Sequence, residues 1–298
     1  MNESVNMPFR PDRFLTLYFF GPISHLSKPK GGRIPILMYH SISDDPEAGY
    51  PYYWINTSPR RFAEHMRFLS DNQYKIISFS DAAGMIGSSG AAQESITSSF
   101  HPAVEARYVV LTFDDGYQDF YTEAFPILKR YGFTATVFLP TGFIAEETLL
   151  FKGKKCLRWG EVCELASSGV QFGSHTVNHS ELRNLTWDKV EYEVRKSKEV
   201  LEDRVGLAMD SFSYPYAFPE EDRRFTTRFR NLLMESGYAN GATTIIGTAR
   251  KGNDRLFLKR IPTNSNDDLV LLQAKLDGGY DWVKEIQYGF KLIKRVTK

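Results

Sequence analysis

Residues 108–117 read Tyr-Val-Val-Leu-Thr-Phe-Asp-Asp-Gly-Tyr. The first six, Tyr108 to Phe113, form an apolar run with two β-branched valines, the pattern of a strand buried on both faces in a parallel sheet. Two carboxylates, Asp114 and Asp115, follow at the strand's end, and Gly116 permits a sharp turn there. Neighbouring strand side chains point to opposite faces, so a turn is needed to bring both acids to one rim. Adjacent buried acids repel, and a proton or a cation relieves the repulsion. The plain alternative is a helix cap beside a solvated turn acid.

Outward from this stretch, strand and helix patterns alternate. Glu123 to Tyr131 reads as a helix ended by Gly132, and Thr134 to Leu139 as the next strand. Trp159 to Ser168 is helical, Val170-Gln-Phe a strand, and Thr186 to Val205 a long amphipathic helix with Thr186 as cap. Ser211 to Tyr214 reads as a strand, Pro219 to Ser236 as a helix and Ala242 to Ile246 as a strand. Upstream, Ile34 to Tyr39 and Tyr74 to Phe79 read as strands. Pro59 to Asp71 has helical spacing, and Ser80 is placed to cap a short helix. Repeated strand–helix units predict a parallel sheet, open or closed, and every notable polar residue falls just after a strand, where α/β barrels place their chemistry.

The 298 residues fit one such barrel, read as a single domain over 34–298, with an extension at 1–33 and a flexible Ser/Ala/Gly-rich loop near 87–103. Lys and Arg total 37 against 36 acids, so nothing marks a nucleic-acid binder. Cys156 and Cys163 read as reduced thiols about two turns apart on one helical segment, too far to bridge. The apolar run Phe14 to Phe20 stops at Gly21-Pro22 with no small-residue cleavage site, so cytoplasmic residence is expected. The extension reads as a strap across the barrel; its apolar and basic residues also allow weak contact with a membrane surface. The basic C-terminal run from Tyr288 reads as a solvated helix.

Three further groups follow strands. Phe172-Gly-Ser-His175-Thr-Val-Asn-His179 puts two of only six histidines four positions apart. Both can reach one metal if the chain turns there, and two imidazoles with one carboxylate make a common open metal site. Ser213-Tyr214-Pro215-Tyr216 contains a proline, which lacks an N–H and fixes its own φ, so the motif reads either as an ordinary strand-end turn or as one that leaves a neighbouring N–H free to face a ligand. Leu37-Met-Tyr39-His40 ends a strand with a histidine, either a satisfied rim residue or a catalyst.

Thr-Phe-Asp-Asp-Gly-Tyr followed about sixty residues later by Gly-Ser-His-Thr-x-x-His resembles the polysaccharide deacetylase family (carbohydrate esterase family 4), over roughly residues 34–282. The resemblance implies a distorted (β/α) barrel of parallel strands. It implies that Asp115, His175 and His179 bind a divalent metal and that Asp114 is the general base. It further implies that the Tyr216 N–H helps to hold the oxyanion. Tyr117, Pro215 and Arg260 are expected on the substrate side. Two features depart from the family pattern. Ser213 stands where members often carry an Arg that orients the base, and no His follows His179 to supply the late general acid. The early Leu37 to His40 run looks like that of circularly permuted members, making His40 the acid, and Arg260 is a candidate for the missing Arg.

These residues compose a hydrolysis. A metal, Zn²⁺ by its suitability for a mixed N/O site, would polarise an acetamide carbonyl and acidify water. Asp114 would take the water proton and His40 protonate the departing amine. The expected substrate is an N-acetylated amino sugar, in a polysaccharide or its precursor. Two other readings share the motifs: a metal-dependent amidase for a small non-sugar amide, and an inactive sugar-binding relative.

Overall fold

The computed structural model describes residues 10–26, 32–87 and 107–296, so the loop expected near 87–103 lies almost wholly outside the described residues. Among them are twelve strands: β1 (Ile36–Tyr39), β2 (Ser41–Ile42), β3 (Asn56–Thr57), β4 (Lys75–Ile77), β5 (Tyr108–Phe113), β6 (Thr136–Leu139), β7 (Leu150–Phe151), β8 (Lys154–Lys155), β9 (Gln171–Ser174), β10 (Ser211–Ser213), β11 (Asn240–Ile246) and β12 (Leu258–Pro262). The apolar run at 108–113 is buried from Val109 onward, and it is buried because it is paired on both edges. β1 lies along it in parallel, from Ile36 opposite Val110 to Tyr39 opposite Phe113, and β6 takes its other edge. Continuing β6–β9–β10–β11–β12, the sheet returns to β1, which closes a barrel of seven parallel strands. β4 adds an eighth strand beside the first half of β5. Closure abolishes free edges, so each barrel strand satisfies its backbone polar groups inside the ring.

The helices are α1 (Pro59–Asp71), α2 (Phe79–Gly87), α3 (Phe125–Tyr131), α4 (Trp159–Ser167), α5 (Trp187–Val205), α6 (Arg223–Glu235), α7 (Leu269–Leu276) and α8 (Val283–Val296). α1 starts as its sequence demands, with the Ser58 hydroxyl accepting from the Arg61 N–H and Pro59 at the first turn, and it buries Phe62, Met66 and Leu69. α3 ends at Gly132 in the left-handed region, φ 63°.

Three local expectations are corrected. α2 is entered through Ser78, whose hydroxyl accepts from the Asp81 N–H, while Ser80 lies inside the helix and donates to Asp210. Thr186 occupies the cap position of α5 without a side-chain cap bond. The two cysteines do not share a helix: α4 begins at Trp159, and Cys156 lies before it, bridged to Tyr117. Both thiols are free.

Residues 11–26 are helical, with a π-turn at Thr16–Phe20, and lie against the end of the chain. Asp12 accepts from the Tyr280 hydroxyl at 2.8 Å, Arg13 pairs with Asp268 at 2.6 Å, and Phe20 stacks on Trp282. No helix among the described residues is long and apolar enough to cross a membrane.

Candidate active site

The C-terminal ends of β1, β5, β9 and β10 bring His40, Asp114 with Asp115, His175 and Tyr216 to one end of the barrel. Asp115 and Gly116 both have positive φ, 71° and 62°, which turns the chain hard enough to aim two consecutive carboxylates at one site. A Cβ at Gly116 would also press on the Leu139 side-chain tip at 2.7 Å, so glycine suits that corner best. Asp115, Lys152, Thr176, His179 and Tyr216 account for five of the six non-glycine positive-φ residues among those described. Each such residue stores about 1–2 kcal/mol of backbone strain, which concentrates here as it does at functional sites.

Asp115 Oδ1 lies 3.0 Å from His179 Nε2 and 3.5 Å from His175 Nε2, and all three residues are buried. His175 Nδ1 is 2.7 Å from the Ser213 carbonyl oxygen. A carbonyl only accepts, so Nδ1 carries the proton, and in the neutral ring the lone pair of Nε2 faces the carboxylate. Asp115 Oδ1 has no hydrogen-bond partner. Acceptors converging on one buried point ask for a cation, and one donor atom from each of Asp115, His175 and His179 lies within 4.8 Å of the others. The donor set therefore fits a divalent ion.

Asp114 is buried beside this cluster, its Oδ2 3.9 Å from His175 Nε2. Arg260, on β12, grips it with two 2.7 Å hydrogen bonds, and the same guanidinium donates to the Ser213 hydroxyl at 3.0 Å and the Thr243 carbonyl at 3.0 Å. Burial pushes the Asp114 pKa up, but the Arg260 charge wins and brings it down to about 2. Ser213 thus leaves room for a guanidinium arriving from a different strand, an arrangement that no reading of the Ser213 motif alone could supply.

Tyr117, Pro215 and Arg260, expected on the substrate side, are all buried. Tyr117 donates its hydroxyl to Asp115 Oδ2 at 3.0 Å, and Arg260 is committed to Asp114. Tyr216 is half exposed, with its ring against His179 at 4.7 Å and its carbonyl accepting from the Thr244 hydroxyl. His40 is half-buried. Burial pushes its pKa down, and the charges of Asp115 and Asp114 pull it partly back.

Sequence reasoning missed three residues. Lys152, at the tip of the β7–β8 hairpin, holds its ammonium 3.6 Å from Asp115 Oδ2 and over the rings of Phe151 and Tyr216. Glu193 on α5 accepts from the Val177 and Asn178 backbone N–H groups at 2.8 and 2.9 Å, which braces the turn that delivers His179. Asp119 accepts from the Ser41 hydroxyl and the Ile42 N–H, tying the chain just past His40 to the Asp-Asp-Gly turn. Hairpin tips and mid-helix acids carry no local signal of such roles.

The family model described as polysaccharide deacetylase matches residues 101–240, which contain Asp114, Asp115, His175, His179 and Tyr216. A Bacillus subtilis (strain 168) protein, YxkH, assigned to the polysaccharide deacetylases, is 30% identical over 232 residues, 78% of this chain and 72% of its own. A poly-β-1,6-N-acetyl-D-glucosamine N-deacetylase of Staphylococcus aureus (strain N315) is 29% identical over 126 residues, 39% of this chain and 43% of its own. Among solved structures, the Streptococcus pyogenes deacetylase PplD in complex with acetate is 26% identical, with a TM-score of 0.65 covering 83% of this chain and 99% of that one. IcaB from Ammonifex degensii has the same fold, with a TM-score of 0.64 at 21% identity, covering 83% of this chain and 98% of that one. The barrel, the clustered Asp-His-His triad and these relatives agree, and the chain belongs to the polysaccharide deacetylase family.

Proposed function

We propose that this chain is a metal-dependent N-deacetylase that releases acetate from an N-acetylated amino sugar in a polysaccharide or its precursor. One observation carries the reading: the Asp115–His175–His179 cluster stands beside a second carboxylate, Asp114, which Arg260 keeps ionised and oriented. Asp115, His175 and His179 would hold a divalent ion, Zn²⁺ by the fit of a borderline ion to two imidazoles and a carboxylate, which would polarise the acetamide carbonyl and acidify water.

Asp114, with both oxygens fixed by the Arg260 fork, accepts the proton of the attacking water. The backbone N–H of Tyr216 donates to the carbonyl oxygen as that oxygen gains charge. His40 delivers a proton to the sugar nitrogen, because an amide nitrogen leaves only once protonated. The burial that lowers its pKa makes it a readier donor. Tyr117 and the Ser213 carbonyl orient Asp115 and His175. The names of the relatives support a sugar substrate, the S. aureus one specifically N-acetyl-D-glucosamine.

Metal analysis of the purified chain, paired with acetate release from N-acetylglucosamine oligomers, tests the proposal. One bound divalent ion and acetate release lost on chelation are expected. A chain that binds no divalent ion and releases no acetate is instead the inactive sugar-binding relative, and acetate release only from small non-sugar amides makes it the amidase.

A further inference from the structure

Two elements of this molecule are folded inside out. A surface helix normally turns its apolar stripe to the core and its polar face to water. In α8, Gln287 reaches inward to the Ile246 N–H and the Thr244 carbonyl, and Lys291 reaches the Phe218 carbonyl and Glu220. Ile286, Phe290 and Ile293, spaced one turn apart on the other side, are 48%, 62% and 62% exposed. The N-terminal segment does the same. Asp12, Arg13 and Thr16 bond to the body, while Phe14, Tyr18 and Phe19 pack on one another and face solvent. The two segments meet where Phe20 stacks on Trp282, with ring centroids 4.7 Å apart.

Charge is segregated along the same lines. Residues 1–33 carry five basic against two acidic side chains and residues 283–298 five against one, so in a chain of net +1 the remaining residues 34–282 carry −6. Arg10, Arg13 and Lys291 are engaged in ion pairs. Lys28, Lys30, Lys294, Arg295 and Lys298 flank the two apolar stripes in sequence.

We propose that these two terminal helical segments form a docking face for an anionic lipid surface, holding the barrel peripherally on a bilayer. Aromatic and aliphatic side chains enter the headgroup boundary, the flanking lysines and arginines add roughly 1 kcal/mol each near an anionic leaflet, and the net-negative body stays in water. A second copy of this chain is the poorer occupant, since pairing the faces would bring two positively charged ends together. The proposal does not depend on the catalytic reading.

Flotation of the full chain with phosphatidylcholine vesicles, with and without phosphatidylglycerol, tests it. Partitioning at least about tenfold stronger to the anionic vesicles is expected, falling with added salt. The pairs Ile286→Glu/Phe290→Glu and Tyr18→Glu/Phe19→Glu each change only exposed positions, and each is expected to weaken partitioning about tenfold or more with the melting temperature unchanged. Failure of the wild-type chain to float, or equal flotation of well-folded variants, overturns the proposal. So does a wild-type dimer in sedimentation equilibrium that the Ile286→Glu/Phe290→Glu pair dissolves, because the face would then be a protein interface.

Discussion

Asp114 is a buried carboxylate whose behaviour is set by one partner, and the two can be separated by substitution. Asp114→Asn keeps the shape and removes the proton acceptor. Acetate release should fall about 10²–10⁴-fold with metal content unchanged, and full activity would remove Asp114 from the base role. His40→Ala should cost activity over the same range, again with the metal retained. Arg260→Met leaves Asp114 buried without its counter-charge, at an expected cost of about 3–5 kcal/mol in urea unfolding near neutral pH. Because Arg260 depresses the Asp114 pKa to about 2 from an ordinary 3.8, the stabilisation is complete above 3.8 and fades as pH falls through about 2. The gap between wild type and variant should therefore close in that window. Lys152 stands as a competing cation on Asp115, so Lys152→Met should tighten metal binding several-fold in calorimetric titration.

At the scale of elements, the site depends on turns that are strained locally and braced from a distance. The turn after β9 carries positive φ at Thr176 and at His179, and Glu193, one helix away, holds its backbone amides. Glu193→Ala should lower metal affinity about 10–100-fold while circular dichroism and oligosaccharide binding persist. Unchanged affinity would mean that the turn holds His179 unaided. The β7–β8 hairpin is tied to the Asp-Asp-Gly turn through the Leu157 N–H to Gly116 carbonyl and the Gln118 N–H to Lys155 carbonyl bonds, which fixes Lys152 over the cluster. Strand identity was readable here because buried parallel strands are continuous apolar runs, as at 108–113 and 136–139. Cap chemistry was not, because Ser78 and Ser80 look equally suitable until the helix start is known.

For the whole molecule, the three residues of the Asp-His-His cluster come from two strand ends sixty residues apart, so an ion bound there would bridge parts of the barrel that separate on unfolding. At a hundredfold excess over its dissociation constant, metal should stabilise the fold by about 2.7 kcal/mol, seen as a raised melting temperature. His175→Ala should abolish that increment, and an undiminished increment in the variant would place the ion elsewhere.

The chemistry-bearing residues and their order after strands were legible in the primary structure, because acids after a buried strand and histidines four apart are local patterns. Arg260 was legible as a candidate for the missing Arg, but the pairing of β1 between β12 and β5, the place of β12 that lets its guanidinium fork onto Asp114, and the outward turn of the apolar faces at both chain ends were not. Each depends on which distant segments become neighbours when the barrel closes, and a linear pattern records what a residue is suited to touch but not which partner reaches it.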